Sequence, residues 1–367
     1  MPSITGRVCF HPCMDRCTRK DYDQAVNIPA IERFLGDMGL DNPEWMKKVK
    51  ALRKEKVAVV GGGPAGLSCA FYLSQMGYPV TIFEAEKALG GVLRWGIPEY
   101  RLPNEILDRV VDSILGSGPI DVKTNTLLGR DFSLEELKRD YKAVFVGIGL
   151  SRSRKLGIDG EDIENVTPGL EFLKAVNSGE KVTIGKDVVV VGGGNTAMDV
   201  ARTAMRLGAD EVMVLYRRTE KEMPAAPEEV EEAREEGVHF EFLVTPKSIS
   251  RDGDRVTLEM LRMELGEPDE SGRRRPIPID GSEYRIEVDT CIMAIGQKVE
   301  NEMARELNIK LTRWGTFEVD PETLATNVPG IFAGGDCETG PDDAIRAIAS
   351  GKKAAFFIDK YLKGEKL

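Results

Sequence analysis

The chain has 367 residues, enough for two or three domains that each bury a core. Its 41% hydrophobic and 30% charged content reads as a soluble globular protein, and a formal net charge of −11 argues against a nucleic-acid footprint. No apolar run reaches the ~18 residues of a membrane span, and residues 1–7 lack the apolar core of a signal peptide, so the expected location is cytoplasmic.

Three cysteines, Cys9, Cys13 and Cys17, crowd the N-terminus, whereas Cys69, Cys291 and Cys337 are scattered through apolar or glycine-rich contexts that read as core. A C-x3-C-x3-C run without a fourth cysteine is a poor tetrahedral zinc site, although His11 could replace a thiolate. Free thiols in a reducing compartment are the plain alternative, and soft ligation of an iron-sulfur cluster is the favoured one. Residues 18–50 read as helical, with Ile28, Ile31, Phe34 and Leu35 spaced for one apolar face and Asn42-Pro43 marking a turn.

Next comes the pattern VAVVGGGPAGLSCAFYLSQMGYPVTIFEAE from Val57, repeated as VVVVGGGNTAMDVARTAMRLGADEVMVLYRR from Val188. Each copy runs from an apolar strand through a glycine turn into a small-residue helix, which lets backbone amides and a helix N-terminus approach a pyrophosphate. One such turn is weak evidence; strand, turn and helix repeated twice is strong. The ends of the second strands assign the ligands. Gly61, Gly63 and Gly66 are followed by Glu84, placed to accept hydrogen bonds from an adenosine ribose diol, which fits FAD or NAD and not NADP. Gly192, Gly194 and Ala197 are followed by Tyr216-Arg217-Arg218, where two guanidiniums replace the acid at the position of a 2′-phosphate.

Between the copies, GGVLRWGIPEYRLP reads as a loop over a ligand, because Gly90 and Gly91 permit close approach and Pro98 and Pro103 enforce extended chain. Residues 142–150 return as a strand ending in Gly147 and Gly149. After the second copy, PEEVEEAREEG reads as a solvated helix with a narrow stripe at Val230 and Ala233. HFEFLV and RVTLEM follow as antiparallel strands, and the basic run at residues 273–275 reads as a solvated loop. CIMAIG after Thr290 is expected to rejoin the first domain, ATNVPGIFAGGD ends in Asp336, and residues 342–362 form a closing helix. The fold class is therefore α/β, with two Rossmann-like dinucleotide-binding domains behind a short helical segment. Residues 1–50 form that partial iron-sulfur-type segment, 51–156 and 290–367 a discontinuous FAD domain, and 157–289 an inserted NADP domain.

That arrangement, with the T-x-x-x-x-I-F-A-x-G-D signature ending at Asp336, resembles the flavoproteins with two dinucleotide-binding domains. On GGVLRWGIPEYRLP, GGGNTAMDVARTA, YRRTEKEMPA and ITGRVCFHPCMDRC it is similar to the small (beta) subunit of NADPH-dependent glutamate synthase and its electron-transfer relatives, over nearly the whole chain. The resemblance implies that Gly61, Gly63, Pro64, Ala65, Gly66, Glu84, Gly91, Leu93, Gly335 and Asp336 hold FAD. It implies that Gly192, Gly194, Asn195, Thr196, Arg217 and Arg218 hold NADPH or NADP. The resemblance also implies that Cys9, Cys13 and Glu32 contribute to one [4Fe-4S] cluster and Cys17 to another, with either a partner subunit of a heteromeric complex supplying the thiolates these positions lack or the segment being a remnant that has lost its clusters.

Hydride transfer between nicotinamide and flavin needs alignment more than acid-base residues, and this chain has only His11 and His239, neither in a glycine turn. The implied function is an electron-transfer subunit passing electrons between NADP(H), FAD and a partner's iron-sulfur clusters. Three alternatives are a stand-alone NADPH-dependent flavin reductase, a cofactor-binding scaffold without turnover, and a disulfide reductase of the thioredoxin reductase type. The last requires a C-x-x-C pair, and none occurs from Thr18 onward.

Overall fold

The computed structural model describes residues 1–150, 152–269, 272–299 and 306–367. It divides into two compact units, residues 1–152 with 298–367, and residues 153–297.

The first unit is built on a five-stranded parallel sheet in the order Ile331–Ala333, Ala143–Val146, Val57–Val60, Val80–Phe83, Ile120–Lys123. Its central strands VAVV and AVFV are buried at every residue, as expected when helices cover both faces of a parallel sheet. Helix Pro64–Gln75 crosses the C-terminal helix Ala344–Leu362 at backbone contact. A Cβ on Gly351 would lie 2.1 Å from the Ala65 carbonyl oxygen, and the Ser68 hydroxyl donates to the Ile348 carbonyl at 2.7 Å. This crossing fixes the end of the chain against the first glycine turn.

The N-terminal segment differs from its expected form. Helix Ile28–Asp41 is shorter than the 18–50 span and packs on helix Pro2–Val8 through small residues. A Cβ on Gly6 would meet the Arg33 backbone nitrogen at 2.4 Å, and one on Gly36 would meet the Ser3 nitrogen at 2.3 Å. Arg7 clamps Asp37 with two bonds of 2.8 and 2.9 Å. The face carrying Ile28, Ile31, Phe34 and Leu35 is exposed instead of packed, because close crossing selects the glycine and proline side of the helix.

The second unit has its own five-stranded parallel sheet, ordered Val166–Pro168, Thr290–Met293, Asp187–Val191, Glu211–Tyr216, His239–Phe242. Strand Thr290–Met293 therefore belongs to this unit, with Thr290 paired to Val188, and not to the first domain as its sequence suggested. A fully apolar parallel strand carries no periodicity that says which of two sheets it joins. HFEF likewise extends this parallel sheet, and antiparallel pairing begins only at Val244–Asp252, which pairs with the long strand Arg255–Pro268. The glutamate-rich helix Pro227–Glu235 buries Val230 and Ala233, and Glu229, Glu232 and the following Glu236 surround the buried Arg202 at 3.0, 2.6 and 2.7 Å. That run is more anchored than a merely solvated face.

Candidate functional sites

In the first unit the glycine turn follows strand Val57–Val60. Gly61 has φ +101°, and a Cβ there would lie 2.4 Å from the Gly147 carbonyl oxygen, so only glycine fits without displacing the neighbouring strand end. Gly66 lets helix Pro64–Gln75 approach to where a Cβ would be 1.9 Å from the Gly61 oxygen. Gly63 is different. It caps the helix at an ordinary extended φ of −74°, and the nearest atom to a Cβ built on it is the Gly91 Cα at 3.8 Å. No fold contact demands glycine there, so the open space is of the kind a ligand's phosphates use at a helix N-terminus.

Glu84 is buried at the end of strand Val80–Phe83. Its carboxylate accepts from the Gly62 N–H at 2.7 Å and the Glu86 N–H at 2.8 Å, while burial raises its pKa against the effect of those two bonds. The acid is thus oriented by the glycine turn itself. Gly91, at φ +55°, brings its loop against Gly63, and Leu93 is buried behind it. Arg94 carried no signal in the sequence that set it apart. This buried guanidinium donates to the Leu89 carbonyl at 2.6 Å and pairs with Asp108, which fixes the loop around Gly90 and Gly91.

Gly335, at φ +75°, places its Cβ position 3.0 Å from the Ala65 Cβ, so Asp336 begins beside the first turn of helix Pro64–Gln75. Burial, with Asp342 and Asp343 nearby, pushes the Asp336 carboxyl up to about 7, although an Asp342 backbone hydrogen bond opposes the shift. A half-buried carboxyl at that position is placed to exchange hydrogen bonds with a ligand's hydroxyls, as acceptor when ionised and as donor when protonated. The structure thus brings Gly61, Gly63, Pro64, Ala65, Gly66, Glu84, Gly91, Leu93, Gly335 and Asp336 around one helix N-terminus and its flanking loops. These residues fit an adenine dinucleotide flavin.

The second unit repeats the turn. Gly192, at φ +147°, would place a Cβ 2.2 Å from the Ala294 carbonyl oxygen, whereas Gly194 has nothing nearer than Pro224 Cγ at 3.9 Å. Helix Asn195–Arg206 starts there with Asn195 and Thr196 in its first turn. The Asn195 side-chain oxygen accepts from the Ala226 N–H at 2.9 Å, so the PAAP stretch folds back over the turn. Tyr216 closes the next strand, donating to the Glu222 carbonyl at 2.8 Å.

The two arginines that the sequence treats as a pair are not equivalent. Arg218 is buried, pairs with Asp269 at 2.7 Å and donates to the Arg274 carbonyl at 2.7 Å, which commits it to the turn between strands Arg255–Pro268 and Arg274–Pro278. Arg217 is exposed by area, yet partial desolvation and the like charges of Arg218 and Arg273 lower its pKa. Asp269 lies 51 residues beyond Arg218, which is why no local pattern revealed the pairing. The arrangement fits an anionic ligand group at Arg217.

At the N-terminus the Cys9 sulfur accepts from the His11 N–H at 3.4 Å and the Cys17 sulfur from the Val26 N–H at 3.5 Å. Burial raises the Cys9 pKa, while backbone hydrogen bonds from Val26 and Arg19 lower that of Cys17. Glu32 accepts from the Thr5 hydroxyl at 2.6 Å. Among the described residues no group of three or more His, Cys, Asp or Glu side chains is arranged to hold a metal ion, so Cys9, Cys13, Cys17 and Glu32 do not form a closed ligand set in this chain. A complete cluster does not fit these residues alone.

Cys69, Cys291 and Cys337 are buried singly. Burial pushes the latter two thiols up to about 12, which leaves them without the thiolate character of disulfide exchange. No helix among the described residues is long and apolar enough to cross a membrane.

Comparison with known proteins agrees with this geometry. The pyridine nucleotide-disulphide oxidoreductase family matches residues 55–351. The chain is 43% identical to the NADPH-Fe(3+) oxidoreductase subunit beta of Geobacter sulfurreducens, over 99% of this chain and 58% of that protein. It is 40% identical to the glutamate synthase [NADPH] small chain of Escherichia coli K12, over 99% of this chain and 81% of that one. It therefore spans little more than half the length of the Geobacter relative. In fold it is similar to Mycobacterium tuberculosis FprA in complex with NADPH, with a TM-score of 0.74 over 85% of both chains at 18% identity. With two dinucleotide turns on parallel sheets and these relatives, the chain belongs to the pyridine nucleotide-disulphide oxidoreductase family, alongside the glutamate synthase small chain and its oxidoreductase-subunit relatives.

Proposed function

We propose that this chain is the NADPH-oxidising, FAD-bearing subunit of an electron-transfer complex, exchanging electrons with the iron-sulfur centres of a partner. The observation that carries the reading is the paired open glycines, Gly63 and Gly194, each at a helix N-terminus where a Cβ finds no close protein neighbour. The relatives' printed names, an NADPH-dependent oxidoreductase subunit and an NADPH glutamate synthase chain, support the same direction.

In this reading a bound flavin supplies the conversion between two-electron hydride chemistry and single-electron release. The chain's own part is binding and orientation. Gly61 and Gly63 admit the pyrophosphate, Glu84 takes the adenosine ribose, and Asp336 takes ribityl hydroxyls. In the second unit Gly192 and Gly194 admit the NADPH pyrophosphate, Asn195 and Thr196 line the helix start, and Arg217 meets the 2′-phosphate. Arg218 holds the neighbouring turn in place through Asp269. A disulfide reductase is disfavoured by the three separated, buried cysteines.

The test separates the two sites. Gly194→Val should leave flavin bound while abolishing NADPH-dependent reduction of ferricyanide. Unchanged NADPH turnover in a folded Gly194→Val protein would overturn the assignment of the second site.

A further inference from the structure

The basic run at residues 273–275 reads as a solvated loop in the sequence, yet Arg273 and Arg274 are tied to the end of strand Glu211–Tyr216. The tie is made through side chains and through backbone. Arg218, just past that strand, donates to the Arg274 carbonyl at 2.7 Å and to the Asp269 carboxylate at 2.7 Å, and the Asp269 N–H donates to the Arg273 carbonyl at 2.8 Å. The Leu243 N–H donates to the Arg218 carbonyl at 3.1 Å, and the Met263 N–H to the Leu243 carbonyl at 2.7 Å. The chain leading into strand Arg274–Pro278 is thereby fixed against the neighbour of Arg217.

The three arginines of the run are placed differently. Arg274 turns its guanidinium back on its own hairpin, donating to the Gly266 carbonyl at 3.0 Å and the Leu265 carbonyl at 2.5 Å. Arg275 lies further along the strand and is exposed. Arg273 is half-buried, and its charge reaches Arg217: burial, then Arg218, then Arg273 lower the Arg217 pKa, against Tyr216 and Asp269. Arg218 is committed to Asp269, so the guanidiniums gathered at the adenosine end of the second glycine turn are Arg217 and Arg273. Two like charges held close repel each other, and a dianion set between them turns that repulsion into attraction. A phosphate monoester has three terminal oxygens, enough to accept from two forks that arrive on separate segments of chain.

We infer that Arg273 is the second arm of the 2′-phosphate site, so that Arg217 from the strand end and Arg273 from the hairpin hold the phosphate between them. Arg218 sets their spacing through Asp269 and the Arg274 carbonyl. The inference rests on the functional reading above, which places NADPH at the second turn. It gives the antiparallel hairpin of the second unit a part in coenzyme choice.

The test uses the flavin-loaded full chain and ferricyanide reduction driven by NADPH or NADH, with 2′,5′-ADP and 5′-AMP as competing fragments that differ by the 2′-phosphate. Arg273→Gln should lower the ratio of kcat/KM for NADPH to that for NADH about tenfold or more, as one lost charge-assisted bond does. Inhibition by 2′,5′-ADP should weaken by a similar factor relative to 5′-AMP. Arg275→Gln makes the same charge change in the same run and should move either ratio less than about twofold, as expected of an exposed charge without a contact. Unchanged ratios in Arg273→Gln overturn the inference; a side chain that merely props the hairpin would lower the Tm and weaken both coenzymes alike, which is that result. An equal shift in Arg275→Gln also overturns it, since it marks a diffuse field and not a contact. A wild-type protein that prefers neither NADPH over NADH nor 2′,5′-ADP over 5′-AMP overturns the functional reading, and the assignment of Arg273 falls with it.

Discussion

Replacing Gly63 with valine separates what the fold needs from what the ligand needs. The backbone there has φ −74° and ψ −174°, which any residue adopts, and a Cβ would meet nothing closer than 3.8 Å. The cost to the apoprotein is then that of a poorer helix N-cap, about 1 kcal/mol or less. The same methyls would occupy the space through which a pyrophosphate reaches the first-turn amides. Losing two charge-assisted hydrogen bonds at about 1.5–3 kcal/mol each weakens flavin binding by about 3–6 kcal/mol, or roughly 10²–10⁴-fold. The ratio of flavin absorbance to protein after gel filtration, a titration of apoprotein with FAD, and a thermal melt read the two effects independently. Gly66→Ala is the contrasting change: its Cβ would lie 1.9 Å from the Gly61 oxygen, so it should damage the fold itself. A Gly63→Val protein that melts normally and carries a full complement of FAD would refute the placement of the cofactor.

Arg217→Ser should raise KM for NADPH about tenfold or more, as expected for one lost charge-assisted bond, with little change for NADH in steady-state assays. Arg218→Ser should in addition lower the Tm, because it strands Asp269, and a change confined to NADPH binding would contradict that structural role. Asp336 gives a pH dependence whose sign follows from its raised pKa. The folded apoprotein keeps the proton up to about 7, whereas the unfolded chain releases it near the ordinary 3.8, so this contribution to stability is present at low pH and lost as pH rises through 7. Melting curves between pH 4 and 8 should show that decline, and Asp336→Asn should flatten it. An identical slope in the variant would place the titration elsewhere.

Both dinucleotide turns were legible in the sequence because their chemistry is local: strand, glycines and helix start lie within a dozen residues, and Glu84 and Arg217 close the next strand. Contacts between distant residues were not legible. Asp269 reaches Arg218 from just beyond the end of strand Arg255–Pro268, 51 residues on, and Arg94 pairs with Asp108 on the next helix. Thr290–Met293 reads as apolar strand in either sheet, and only its pairing with Asp187–Val191 places it in the second unit. Helix Ile28–Asp41 misled for a further reason. Its large apolar residues suggested the packed side, but Gly6 and Gly36 let two backbones meet so closely that the smaller side won.

Anaerobic rapid mixing of the FAD-loaded protein with NADPH tests the central claim most directly, followed at the oxidised-flavin absorption band. The account predicts that one equivalent of NADPH bleaches the flavin in a two-electron step, and that an equal concentration of NADH does so at least about tenfold more slowly, the ratio set by one 2′-phosphate contact at Arg217. A flavin that stays oxidised in excess NADPH, or that NADH reduces as fast, would contradict it.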